Sequence, residues 1–162
     1  MQFLYMTLFA GLIVAADQYT KYLTVQQIAL HGSQEFIPGF LSLTYTKNYG
    51  AAFSSFQGMQ WLFAVIFVIF TGAVLYEYFK KPMPFRKAER WCIAAIYGGG
   101  LGNMIDRVRL GYVVDMIKTE FMTFPIFNVA DCFITCGCFL LIALLFFNKE
   151  FWKEEKKHDL EG

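Results

Sequence analysis

The chain has 162 residues, 57% hydrophobic, 19% aromatic and only 17% charged, which is more apolar than a soluble domain of this size. Its charges are clustered and its mean hydropathy is positive, so the composition points to an integral membrane protein. The formal net charge of +1 provides no broad basic field and excludes a nucleic-acid partner.

Four apolar segments, at roughly 3–23, 59–79, 88–108 and 127–147, each approach the ~20 residues that cross a bilayer. Backbone groups in hydrocarbon must be paired within their own segment, so the spans are predicted to be helices. The first lacks a basic leader and runs into Asp-Gln-Tyr-Thr-Lys instead of a small-residue cleavage site, so it reads as a retained helix. Basic residues gather at Lys80, Lys81, Arg86, Lys87 and Arg90, and again at Lys149, Lys153, Lys156 and Lys157. The positive-inside rule then makes both termini cytoplasmic, with loops 24–58 and 109–126 outside and a cytoplasmic tail over 148–162. In the first outer loop, Pro38-Gly39 marks a turn. Phe40 to Thr46 then alternates Leu41, Leu43 and Tyr45 with Ser42, Thr44 and Thr46, a strand pattern with one apolar face. Tyr112 to Ile117 is β-branched and suits a partner strand. The expected fold is therefore an all-α integral membrane protein, one membrane domain over 1–162, with four transmembrane helices and a small β-sheet on the extracytoplasmic surface.

Polar residues inside such a chain need a reason, because an ionisable group in a span costs ~2.5–3.5 kcal/mol on insertion scales. Asp17 and Lys21 have the i, i+4 spacing of an ion pair, and either could also position loops. Asn48 is either a turn residue or a group that holds substrate backbone. Gly98 and Gly102 form a small-xxx-small stripe, suited to helix packing or to a bound substrate helix. Asn103, Asp106 and Arg107 can share one face, where Arg107 either snorkels to head groups or binds a carbonyl or phosphate. Asn128 and Asp131 have the spacing of a capping box at the start of the last helix. Capping leaves Asp115, in Val-Val-Asp-Met-Ile, without an explanation.

Two acids at facing element ends, about 3 Å apart, cannot both ionise and would share one proton, which makes one a general base and the other a general acid. Asp115 and Asp131 are the candidate pair. Rival readings are a proton-coupled transporter subunit, which would set its acids near mid-membrane, and a purely structural membrane protein. Cys92, Cys132, Cys136 and Cys138 match no metal pattern and read as packing residues, so no metal or cofactor is expected. His31 and His158 lie outside every span.

The motifs resemble lipoprotein signal peptidase (signal peptidase II, prolipoprotein signal peptidase) of bacteria. The resemblance rests on Asp17-Gln18-x-Thr20-Lys21, Asn48-x-Gly50-Ala51-Ala52-Phe53, Gly99-x-Leu101-Gly102-Asn103-x-Ile105-Asp106-Arg107, Gly111-Tyr112-Val113-Val114-Asp115 and Phe127-Asn128-x-Ala130-Asp131, in that order. It implies a four-helix aspartyl endopeptidase of the bacterial cytoplasmic membrane, with an outer β-cradle and a site on the extracytoplasmic side. Such an enzyme cleaves prolipoproteins just before a cysteine that carries diacylglyceryl. Asp115 and Asp131 match the catalytic aspartates. Asp17, Lys21, Asn48, Gly102, Asn103, Arg107 and Asn128 match substrate-binding or supporting positions. Membrane lipids and inhibition by globomycin-type peptides are also implied, and a site built by one chain favours a functional monomer. Met116 stands where phenylalanine is usual, and Gly100 where alanine is common.

Overall fold

The computed structural model describes residues 1–50, 58–79 and 85–148. Its elements run α1 (Gln2–Gln27), β1 (Ser33–Ile37), β2 (Leu41–Asn48), α2 (Gln60–Phe79), α3 (Lys87–Leu110), β3 (Val113–Thr119) and α4 (Val129–Phe146). Ala51-Ala52-Phe53, the loop bases Lys80 and Lys81, His158 and the lysines expected to mark the tail lie outside the described residues.

Among the described residues, three helices are long and apolar enough to cross a membrane: Gln2–Gln27, Trp61–Phe79 and Val129–Phe146. They expose large apolar side chains such as Leu12, Val68, Ile69, Phe139 and Ile142, as a lipid-facing surface requires. The fourth expected span, α3, is differently built. It carries Lys87, Glu89 and Arg90 at one end and Asp106, Arg107 and Arg109 at the other. It is also the helix the others pack on, and its glycines set how closely they approach. A Cβ on Gly98 would lie 2.9 Å from the Ala10 carbonyl oxygen of α1, and one on Gly99 2.5 Å from that of Ala130 in α4. The small-residue stripe is therefore filled by the protein's own helices and leaves no groove there for a substrate helix. α2 joins through Phe67, whose ring stacks on Tyr97 at 5.4 Å.

The helix ends differ from expectation for local reasons. α1 runs past residue 23 because Thr24 is buried and Ile28 joins the sheet's core. α3 stops at Gly111, whose φ of 77° closes the helix in the left-handed conformation that glycine adopts most easily. α4 starts at 129 because Phe127 is drawn into the sheet, exchanging backbone bonds of 3.1 and 2.7 Å with Ile117.

The sheet is antiparallel, in the order β1-β2-β3. Pro38-Gly39 forms the expected turn, with Gly39 at φ 67° and the Phe40 N–H donating to the Ile37 carbonyl at 2.9 Å. In β2, Ser42 and Thr44 are buried along with Tyr45 of the apolar face, while Leu41 and Leu43 are half-buried. β2 is the central strand, and its polar face is covered too. The Thr44 hydroxyl donates to the Gly32 carbonyl at 2.6 Å, and the register shifts between Leu43 and Thr46. Ile28, Tyr45, Val114 and Met116 form the sheet's core.

Candidate functional site

The site forms where β2 and β3 meet the C-terminal parts of α1 and α3 and the N-terminus of α4. Asp115 lies on β3 opposite Thr46 of β2. Asp131 lies in the first turn of α4. Both acids are held by asparagines. Asn128 caps α4 as its spacing predicts: its Oδ1 accepts the Asp131 N–H at 2.9 Å, and its own N–H donates to Asp131 Oδ2 at 3.2 Å. The same residue's Nδ2 donates to Asp115 Oδ1 at 2.6 Å and to Asn103 Oδ1 at 3.1 Å. Asn103 Nδ2 donates to Asp131 Oδ1 at 2.7 Å, and Asn48 Nδ2 to Asp115 Oδ2 at 2.9 Å. One side chain thus caps α4 and also bonds to Asp115 and Asn103. Asn128 bonds to both acids, to Asp115 through its side chain and to Asp131 through its backbone.

Asp115 is 2% exposed, whereas Asp131 is half-buried. Burial is the main reason the Asp115 carboxyl titrates near 6 instead of 3.8, and the negative charge of Asp131 adds to it. The amides of Asn48 and Asn128 and the charge of Lys21 oppose the rise.

Asn48 is also a turn residue, since its Oδ1 accepts the Gly50 N–H at 2.9 Å. Arg107 binds a carbonyl of the protein itself, donating from Nη2 to Gly50 at 3.1 Å and from Nη1 to the Asn103 carbonyl at 3.3 Å. Its guanidinium lies 4.3 Å from the Phe63 ring centroid. Lys21 pairs with Asp17 at 2.8 Å as the spacing predicts, and also reaches Asp106 at 2.9 Å and Asn103 at 2.9 Å. Gly102 faces Asp17, whose Oδ2 would be 2.7 Å from a Cβ placed there.

Two polar groups carried no assigned role in the sequence. Gln18 donates to Asp106 Oδ1 at 2.8 Å, and only its place inside Asp17-Gln18-x-Thr20-Lys21 signals it. Glu89, fully buried at the other end of α3, accepts Asn148 Nδ2 on both oxygens at 3.0 and 2.9 Å and the Arg86 N–H at 2.7 Å. Among the described residues no group of three or more His, Cys, Asp and Glu side chains could hold a metal ion. The cysteines are free, and Cys136 is exposed where a packing residue was expected.

Residues 9–147 match the family model for signal peptidase II. The chain belongs to the signal peptidase II family. The lipoprotein signal peptidase of Enterococcus faecalis is 45% identical over 151 residues, 92% of each chain. That of Streptococcus pyogenes serotype M2 is 46% identical over 144 residues, 89% of this chain and 90% of the relative. A solved bacterial membrane enzyme at 2.3 Å resolution superposes with TM-score 0.82 at 36% identity, covering 89% of this chain and 88% of its own. Another, at 1.9 Å, gives 0.80 at 36% identity, covering 90% and 94%. The protein is thus a membrane peptidase, and the nine site residues named from its sequence all meet in the network described above.

Proposed function

We propose that this signal peptidase II removes signal peptides from prolipoproteins that carry a diacylglyceryl cysteine, cutting directly before that cysteine, with Asp115 and Asp131 as an aspartyl dyad. The observation that carries the reading is Asn128. It donates to Asp115 through its side chain and to Asp131 through its backbone, so a strand acid and a helix acid are held together by one residue. One acid, ionised, takes a proton from water, and the water attacks the carbonyl before the modified cysteine. The other, protonated, stabilises the oxyanion, and the proton then passes to the leaving amine. Asp131 is the partner that ionises first, because the N-terminus of α4 favours negative charge there, while burial keeps the proton on Asp115 up to about pH 6. The pair titrates jointly.

In this reading α3 is a fourth crossing of the bacterial cytoplasmic membrane, shielded from lipid by α1, α2 and α4. Both termini are cytoplasmic, and the sheet rests on the extracytoplasmic surface. The single membrane domain works as a monomer, accepts its substrate from the lipid phase, and is inhibited by globomycin-type peptides. A proton relay fits poorly, because Asp131 lies in a helix's first turn and Asp115 on a strand, neither near mid-helix. The test is a gel-shift assay of cleavage on matched preprolipoproteins with and without diacylglyceryl. Cleavage of the lipidated form alone is expected, and equal cleavage of both would refute the assigned substrate.

A further inference from the structure

Asp17, Lys21 and Asp106 make a compact charged unit that, among the described residues, bonds directly to neither carboxylate of the dyad. Asp17 is 0% exposed, and Lys21 and Asp106 are each 3% exposed. An ammonium has three protons. Those of Lys21 are taken by Asp17 Oδ2 at 2.8 Å, Asp106 Oδ2 at 2.9 Å and Asn103 Oδ1 at 2.9 Å, so none is left for a substrate.

Each carboxylate also grips one backbone amide. Asp17 Oδ1 accepts the Ala130 N–H at 3.0 Å, and Asp106 Oδ2 accepts the Val114 N–H at 3.1 Å. Ala130 immediately precedes Asp131, and Val114 immediately precedes Asp115. Both amides lack a partner in their own element. Ala130 is in the first turn of α4, where no intrahelical acceptor exists. Val114 is on β3, an edge strand of the sheet. Gln18 braces the unit, donating to Asp106 Oδ1 at 2.8 Å and to the Gly102 carbonyl at 3.2 Å.

We infer that Asp17 and Asp106, clamped by Lys21, are positioning residues that set the spacing of the two dyad aspartates by holding the amide before each one. The inference rests on the dyad reading above. A merely structural role would also satisfy two orphan amides, but it would not tie turnover to both. With the spacing set jointly, losing either grip displaces one aspartate, and losing the second adds little, as for residues that act as a unit.

The experiment uses the purified full-length enzyme and a diacylglyceryl-modified prolipoprotein, with Asp17→Asn, Asp106→Asn, the double variant and Asp115→Asn. A misplacement near 1 Å costs on the order of 10²-fold in rate. Each single variant is expected to lose about that factor in kcat with KM within about twofold, and the double variant to lose little more than the worse single. Folded single variants with unchanged kcat, a loss confined to KM, or single losses that multiply in the double variant would overturn the inference. Should the Asn variants not fold, Gln18→Met removes only the brace. A kcat loss of about threefold to tenfold at constant KM is then expected, and no loss would overturn the inference. Turnover by Asp115→Asn would overturn the dyad and this inference with it. A dead Asp115→Asn beside fully active Asp17→Asn and Asp106→Asn would remove the inference alone.

Discussion

Replacing Asp115 by asparagine should alter stability in a pH-dependent way. The Asp115 carboxyl titrates near 6 in the fold against an ordinary value of 3.8. Below pH 3.8 the group is protonated in both the folded and unfolded chain and contributes nothing. Between 3.8 and 6 the folded protein keeps a proton that the unfolded chain has lost, so stability falls as pH rises. Above 6 both states are ionised and the fold bears the full cost. A shift of about two units at ~1.4 kcal/mol each is ~3 kcal/mol. The Asp115→Asn variant has no such cost, but its new NH₂ would face a donor, Asn48 Nδ2 or Asn128 Nδ2, at a penalty of ~1–3 kcal/mol. That penalty does not depend on pH, so the slope separates the two effects. The assay is Tm against pH for wild type and Asp115→Asn in the same detergent. Relative to wild type, the variant should gain ~3 kcal/mol between pH 3.5 and 7.5, about 2–4 °C per kcal/mol. A flat difference, or one falling with pH, would refute the assignment of Asp115 as a buried, strained acid.

Three other outcomes follow from the same contacts. Glu89→Ala should cost ~3 kcal/mol by removing the buried acceptor of the Asn148 side-chain amide and the Arg86 N–H, a loss read by Tm. Glu89 lies 18 residues along α3 from Arg107, roughly 27 Å, so kcat per folded enzyme should not change. Arg107→Lys should lower kcat/KM about tenfold, because a point charge cannot bond two carbonyls and lie over Phe63 together. Gly99→Val should prevent recovery of monodisperse protein, since its Cβ would already strike the Ala130 carbonyl at 2.5 Å; size-exclusion chromatography checks it.

What the sequence made legible divides along physical lines. The apolar runs of α1, α2 and α4 are local signals that lipid demands, and they read correctly. β2 and β3 showed through alternation and β-branching. β1 did not, because Ser33–Ile37 is exposed throughout and has no face to pattern. The burial of Ser42 and Thr44 could not be seen, since alternation marks two faces but not which of them other elements cover. The Asp17–Lys21 pair was readable as an i, i+4 spacing, whereas its link to Asp106 joins residues 85 positions apart in sequence, which spacing cannot reveal. Glu89 was missed because it stands among Lys87 and Arg90 and resembles a loop charge, and its partner Asn148 lies beyond the end of α4. The polar residues proposed for the site stood out because such groups are few in an apolar chain, whereas Gly102 and the supporting roles came from the family resemblance.

The most direct measurement of the central claim is single-turnover cleavage of one diacylglyceryl-modified prolipoprotein by wild type, Asp115→Asn and Asp131→Asn, each purified, monodisperse and matched in Tm range. The account predicts that only wild type releases the signal peptide and leaves the lipidated cysteine as the new N-terminus. Cleavage by either variant at near the wild-type rate would contradict it.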